Sequence, residues 1–271
     1  MFATDETKEI IDKYNNGKSM TYITAEFGVS IAPIRRVIIN ENIPIRKGSY
    51  VRKYKIDEHY FDKIDTPNKA YILGFIYADG SNTSNYDKNH YCVAITLHKQ
   101  DSDILEKIRD ELRSDAPIKF RTYGNTKICN FNICNKYMIL RLHELGVVPN
   151  KTLTLRFPEW LDRSLYSHFI RGYFDGDGCI TRRTRGDHSQ ISCSITSTED
   201  MCNSILNIIL DMCEINVHVY NVGHKKCNKN IKTFMVSGNI QCKKFLDYIY
   251  QNLDLKLDRK YKRYIEWYYN N

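Results

Sequence analysis

Apolar and polar positions along most of this chain follow two periods, and the same succession of periods is written twice. Tyr91-Cys92-Val93-Ala94-Ile95-Thr96-Leu97 alternates with period two, as a half-buried strand does. Over 101–114 the period lengthens to that of a helix, with Ile104, Leu105, Ile108 and Leu112 on one side and charges on the other. Strand-like runs at 118–123 and 127–132 follow, joined across Gly124-Asn125, and a helix over 136–145 closes at Gly146. The order then repeats. Ile191, Cys193 and Ile195 alternate with Ser192, Ser194 and Thr196, and 199–213 forms an apolar-striped helix. A second strand pair is expected at 217–222 and 232–237, a matching helix at 240–250, and a last helix at 259–268. The stretch 149–160, with prolines near both ends, reads as the connection between the two halves.

Each half opens with the same unusual segment. Ile72-Leu73-Gly74-Phe75-Ile76-Tyr77-Ala78-Asp79-Gly80 recurs as Ile170-Arg171-Gly172-Tyr173-Phe174-Asp175-Gly176-Asp177-Gly178. Both copies read as short, buried helices that stop at Gly80 and Gly178. Gly74 and Ala78, like Gly172 and Gly176, are four residues apart and give each helix a strip of small side chains. Packing along these strips would bring the two C-terminal ends together, with Asp79 beside Asp177. Two carboxylates at the negative ends of two helices repel, and a hard divalent cation would offset that cost.

These paired segments resemble the LAGLIDADG motif of homing endonucleases, in the form that carries two motifs in one chain. The resemblance spans about residues 66–268 and implies an α+β fold of two pseudo-symmetric αββαββα halves, with the motif helices at the central interface. It also implies that Asp79 and Asp177 bind metal, with Gly80 and Gly178 beside them in the metal site. Mg2+ is the expected cofactor, with Ca2+ bound but not supporting cleavage. A basic residue near the end of each half would approach the water network at the scissile phosphate, and Lys151 and Lys256 take that place here. His98 and Ser197 are weaker candidates for the same network. The sixth motif position differs between the copies, Tyr77 against Asp175.

In Lys119-Phe120-Arg121-Thr122-Tyr123, alternation puts Lys119, Arg121 and Tyr123 on one face and leaves Phe120 to the core. A curved antiparallel sheet with such a face can lie in the DNA major groove. Arg182, Arg183 and Arg185 fall on a hairpin after the second motif, and Lys225, Lys226, Lys229 and Lys232 on a later one. Phosphate contacts are their expected use.

The first residues form a separate pattern. Ile10, Ile11 and Tyr14 stripe one helix, Ser19 caps a second that ends at Gly28, and Ser30 caps a third carrying Ile31, Ile34, Val37 and Ile38. Helix, helix, turn, helix is the layout of a helix-turn-helix DNA reader, with Arg35 and Arg36 off the apolar stripe of the third helix. The expected organisation is therefore a helix-turn-helix module at 1–48, a basic linker at 49–65, a first LAGLIDADG half at 66–148, a connection at 149–164 and a second half at 165–271.

At 271 residues and 42% hydrophobic, the chain can bury one large core and a small one, and its net charge of +8 suits a polyanionic partner. No apolar run has membrane-spanning length and no signal peptide is read, so an intracellular location is expected, of organellar or viral origin among others. Nine scattered cysteines are expected to be reduced thiols, Cys92, Cys129, Cys193 and Cys213 among them as small core residues. A terminal His-Asn pair is lacking, which points away from an intein and towards a free-standing or intron-encoded enzyme. The sequence thus reads as a monomeric, metal-dependent endonuclease that makes a double-strand break at a long pseudo-palindromic site. Its alternatives are an RNA-splicing maturase of the same fold, with intron RNA as partner, and a non-cleaving DNA-binding regulator.

Overall fold

The computed structural model describes residues 2–45, 54–185, 188–215, 217–222, 229–251 and 254–269. It divides into two units, Met1–Lys53 and Tyr54–Asn271. Residues 49–53 of the basic linker expected at 49–65, and also Lys225 and Lys226, lie outside the described residues.

The small unit holds α1 (Thr4–Asn15), α2 (Met20–Phe27) and α3 (Ile31–Asn40) around a core of Ile10, Tyr14, Ile23, Ile34 and Ile38. The Ser19 side chain accepts the Tyr22 N–H at 3.0 Å, and Gly28, with φ at 63°, ends α2 in the left-handed conformation. Ser30 precedes α3 but its side chain makes no capping bond, a difference from the expected cap.

The large unit contains two halves of one design. The first runs α4 (Pro67–Asp79), β1 (Gly80–Asn82), β2 (Val93–His98), α5 (Ser102–Glu111), β3 (Lys119–Tyr123), β4 (Thr126–Ile133) and α6 (Lys136–Glu144). The second runs α7 (Tyr166–Asp177), β5 (Gly178–Arg185), β6 (His188–Thr198), α8 (Glu199–Cys213), β7 (His218–Asn221), β8 (Ile231–Ser237) and α9 (Asn239–Ile249), and α10 (Asp258–Tyr268) follows. Each half has one antiparallel four-stranded sheet, in the order β1-β2-β4-β3 and β5-β6-β8-β7. The fold is α+β, as expected.

Both motif helices are buried along nearly their whole length, and they pack on each other. The small-residue strips make this possible. A Cβ added at Gly74 would overlap the Phe169 carbonyl, and one at Gly172 would overlap the Tyr71 carbonyl. Only glycine lets the two backbones approach this closely.

Two expectations fail on inspection of the sheets and cysteines. Phe120 is 52% exposed rather than in the core, because β3 is the outermost strand and every residue on it is exposed. The buried Cys92 and the exposed Cys134 form a disulfide, so the expectation of reduced thiols does not hold for this pair. Cys129, Cys193 and Cys213 are free and buried, as expected of small core residues.

Candidate active site at the paired helix ends

The crossing of α4 and α7 delivers Asp79 and Asp177 to one place. Asp79 ends α4, and a Cβ built at Gly176 would stand 3.1 Å from its Oδ2, so the carboxylate lies against the residue preceding Asp177. Burial raises the Asp79 carboxyl to about 6, and repulsion from Asp177 adds to the rise while Lys260 and Lys151 oppose it. Asp177 is likewise raised by the protein around it, against the pull of Lys151 and Lys260. Its side chain stands exposed at the end of α7.

Gly80 and Gly178 follow in extended conformation, with φ at −73° and −74°, and each begins a strand. Their role is therefore close approach rather than a left-handed cap. A Cβ at Gly80 would overlap the Ile76 carbonyl, and one at Gly178 would overlap Phe174.

Two buried lysines flank the carboxylates. Lys151 is 8% exposed and its Nζ donates to the carbonyls of Tyr77 at 2.6 Å and Ala78 at 3.1 Å. Lys260 is 4% exposed and donates to Phe174 at 2.7 Å, Asp175 at 2.8 Å and Gly176 at 3.2 Å. Each ammonium thus caps the negative C-terminal end of its own motif helix. Burial lowers the pKa of both, while the carboxylates pull the other way: Asp177 and Asp79 for Lys151, Asp175 with Asp79 and Asp177 for Lys260.

Lys260, not Lys256, is therefore the counterpart of Lys151. Lys256 is only half-buried and lies over the Tyr261 ring, 5.0 Å from its centre. The sequence alone gives no signal for the choice, since 254–263 is rich in lysine and arginine and only the first turn of α10 decides which one points inward. Ser197 is buried and hydrogen-bonded to the Tyr173 hydroxyl at 2.7 Å, while the exposed His98 accepts the Gln100 N–H through Nδ1. Both side chains are thus engaged within their own half.

The residues present suit a hard divalent cation. Two raised carboxylates share the site, and among the described residues no group of three or more Asp, Glu, His or Cys side chains could hold a metal. Such a pair fits magnesium or calcium, which take oxygen ligands and keep room for water and phosphate, better than zinc.

The strand register puts Lys119 in line with Asn130 and Thr96, and Arg121 in line with Ile128 and His98, on the face of the first sheet turned away from its core. Asn130 Nδ2 donates to Thr96 Oγ1 at 2.8 Å, and Arg121 approaches the Tyr123 hydroxyl at 3.4 Å. In the second sheet Arg183 shares the open face with Thr181, whereas Arg182 points to the other side and donates to Ser189 Oγ at 3.1 Å. These arginines lie along β5, not in a loop. Lys229 is exposed at the turn before β8, and Lys232 is held by Asn221 Oδ1 at 2.7 Å. In the small unit Arg35 and Arg36 are exposed on α3.

Known proteins resemble parts of this chain. Residues 164–250 match the family model of the LAGLIDADG-like domain. An uncharacterised protein of Methanocaldococcus jannaschii is 26% identical over 181 residues, which cover 64% of this chain and 65% of that protein. The glutamine–fructose-6-phosphate aminotransferase of the same organism is 29% identical over 158 residues, covering 53% of this chain and 13% of the enzyme. The chain thus spans less than two thirds of either relative. Solved structures that align include the LAGLIDADG homing endonuclease I-GzeII in complex with its DNA target, with a TM-score of 0.49 and 13% identity over 74% of this chain and 88% of that one. I-LtrWI bound to target DNA aligns with a TM-score of 0.47 and 14% identity, over 77% and 89%. Residues 164–250 thus form a LAGLIDADG-like domain within this chain.

Proposed function

We propose that the chain is a site-specific, magnesium-dependent DNA endonuclease of the homing type, acting as a monomer to make a double-strand break. The observation that carries this reading is the meeting of Asp79 and Asp177 at the ends of two packed helices, each flanked by a buried lysine. Asp79 and Asp177 would hold the cation, with the carbonyls of Gly80 and Gly178 nearby. When bound, magnesium supplies Lewis-acid stabilisation of charge developing on the scissile phosphate. Lys151 and Lys260 add fixed positive charge on either side of the carboxylates, pre-organised by their carbonyl partners.

One carboxylate and one lysine per half supply two sets of groups, one for each strand of a duplex, within a single chain. The open sheet faces carrying Lys119, Arg121, Tyr123 and Arg183 suit base edges and phosphates in the major groove, and Arg185 at the end of β5 would add a phosphate contact. Arg182, Lys225, Lys226, Lys229 and Lys232 would add phosphate contacts. The three-helix unit, with Arg35 and Arg36 on α3, would lengthen the footprint as a helix-turn-helix reader. Divergence of the two halves fits a long, pseudo-palindromic site read asymmetrically.

The test is incubation of the purified chain with a double-stranded DNA library containing candidate insertion sites, in magnesium and in calcium. Paired discrete ends in magnesium, with bound intact DNA in calcium, are expected. Asp79→Asn and Asp177→Asn should bind but not cut. Specific binding without cutting in the unmodified protein would replace the endonuclease by a DNA-binding regulator, and failure to enrich any DNA would favour intron RNA as the partner.

A further inference from the structure

The sixth position of each motif, Tyr77 in one copy and Asp175 in the other, is not idle. Asp175 is 1% exposed and its carboxylate accepts three hydrogen bonds, from Tyr71 Oη at 2.9 Å, Tyr250 Oη at 2.7 Å and the Leu257 backbone N–H at 2.8 Å. These donors come from α4, from the residue that ends α9, and from the residue that precedes α10. Leu257 in turn accepts the Lys260 N–H with its carbonyl at 3.0 Å, forming the first turn of α10. The Asp175 side chain therefore fixes the turn from which Lys260 reaches back to the end of α7. One turn earlier on α7, the fully buried Arg171 donates to the carbonyls of Ile249 at 3.1 Å and Leu255 at 3.0 Å, and so pins the approach to that turn.

The first half solves the same problem with the parts exchanged. Tyr77, at the matching motif position, donates through its hydroxyl to the carbonyl of Leu145, the residue that ends α6. Gly146 lies directly beneath that hydroxyl, and a Cβ there would collide with it. Asn82 Nδ2 then holds the Val147 carbonyl at 2.8 Å, leading the chain to Lys151. In one half the aromatic ring stands on the motif helix and reaches the end of the helix that closes the half. In the other it is Tyr250 that stands at the end of the closing helix and reaches back to the motif helix.

We propose that Asp175 and Tyr77 are positioning residues, each setting the lysine of its own half, Asp175 for Lys260 and Tyr77 for Lys151. Each lysine is thereby set by its own sixth-position side chain, although Tyr71 of the first half joins the Asp175 network, so that damage at one sixth position disables one lysine and spares the other. The consequence for strand cleavage rests on the proposed endonuclease activity, but the positioning itself does not.

The first measurement accordingly needs neither metal nor DNA. The full chain and the variants Asp175→Asn and Tyr77→Phe are treated briefly with an amine-acylating reagent, and labelling of Lys151 and Lys260 is read by peptide mass spectrometry. Loss of a buried hydrogen bond, to the carboxylate in Asp175→Asn and to the Leu145 carbonyl in Tyr77→Phe, should raise the labelling rate of the lysine concerned about tenfold. The expected pattern is crossed: Lys260 alone in Asp175→Asn, Lys151 alone in Tyr77→Phe. If Asp175→Asn does not fold, Tyr250→Phe removes a single donor to the same carboxylate and should expose Lys260 more weakly. Equal labelling of both lysines in the variants, or unchanged labelling of Lys260 in a folded Asp175→Asn or Tyr250→Phe protein, would overturn the proposal.

Where the unmodified protein cuts its recovered site on a plasmid, Asp175→Asn should accumulate nicked circles, with the slow strand opposite to that of Tyr77→Phe. Slowing of both strands alike would also count against independent positioning. Absence of cutting in the unmodified protein would instead sink the endonuclease reading and leave the labelling result standing.

Discussion

Arg259 of α10 grips Asp101 of the first half through two hydrogen bonds, Nε to Oδ1 at 3.2 Å and Nη2 to Oδ2 at 3.1 Å. The Asp101 side chain is 8% exposed, so this pair is a half-buried tie between the last helix of the second half and the first, beside the more exposed Lys107–Asp258 ion pair at 3.7 Å. Its removal from one side should be costly, because the partner charge stays buried. Arg259→Met is expected to lose about 2–3 kcal/mol in urea unfolding. The double variant Asp101→Asn/Arg259→Met should recover part of that loss, since no uncompensated carboxylate remains. Additive losses in the cycle would show that the two side chains act separately.

The crossing of the motif helices predicts a sharper penalty. Gly172→Ala places a methyl group on the Tyr71 carbonyl, a backbone atom that cannot swing aside. Overpacking against backbone should cost about 3 kcal/mol or more, lowering Tm by roughly 6–12 °C for a unit of this size. Ser81→Ala, at an exposed strand position beside the same site, should stay within about 0.5 kcal/mol. Differential scanning calorimetry of the two variants makes the comparison.

How much of this was legible in the sequence depends on the range of the interactions involved. The motif helices, their contact strips and the meeting of Asp79 with Asp177 follow from local spacing, because small residues four apart fix a face without reference to the rest of the chain. The alternation of 191–196 likewise gave its strand and its buried side. What failed depends on distant partners. Phe120 alternates as a core residue should, but its strand lies at the sheet edge, where no helix covers it. Lys260 is distinguished from Lys256 only by contacts to carbonyls more than eighty residues away. The roles of Asp175 and Arg171, and the Cys92–Cys134 disulfide, arise in the same way from packing between elements that are remote in the chain.

The exposed pair Arg35 and Arg36 on α3 gives a prediction for the small unit. Replacement of both by alanine should weaken binding of the selected DNA and reduce the dependence of log K on log salt by about 1–2. The cut positions should not change, since neither carboxylate nor lysine of the large unit is touched. A variant that binds as tightly as the unmodified protein, with the same salt slope, would leave this unit without a DNA-binding role.

The raised carboxyl of Asp79 makes stability depend on pH in a direction opposite to that of an ordinary salt-bridged aspartate. Its folded value of about 6 lies above the ordinary value of 3.8, so the folded protein holds a proton that the unfolded chain has released across this window. The contribution of this group is therefore greatest at low pH and is lost as pH rises through about 6. Asp79→Asn removes the ionisation and with it the loss. Without divalent cation, the variant should be more stable than the unmodified protein at pH 7.5, by about 1–2 kcal/mol after solvent screening of the half-buried carboxylate, and the gap should close near pH 4. Comparing the two proteins at each pH cancels the titration of carboxylates remote from the site, leaving Asp79 and the neighbouring Asp177 that repels it. Addition of magnesium at pH 7.5 should narrow the gap by stabilising the unmodified protein alone, because the cation offsets the repulsion between Asp79 and Asp177 that the substitution abolishes. Equal stabilisation of both proteins by magnesium would mean that the cation binds elsewhere.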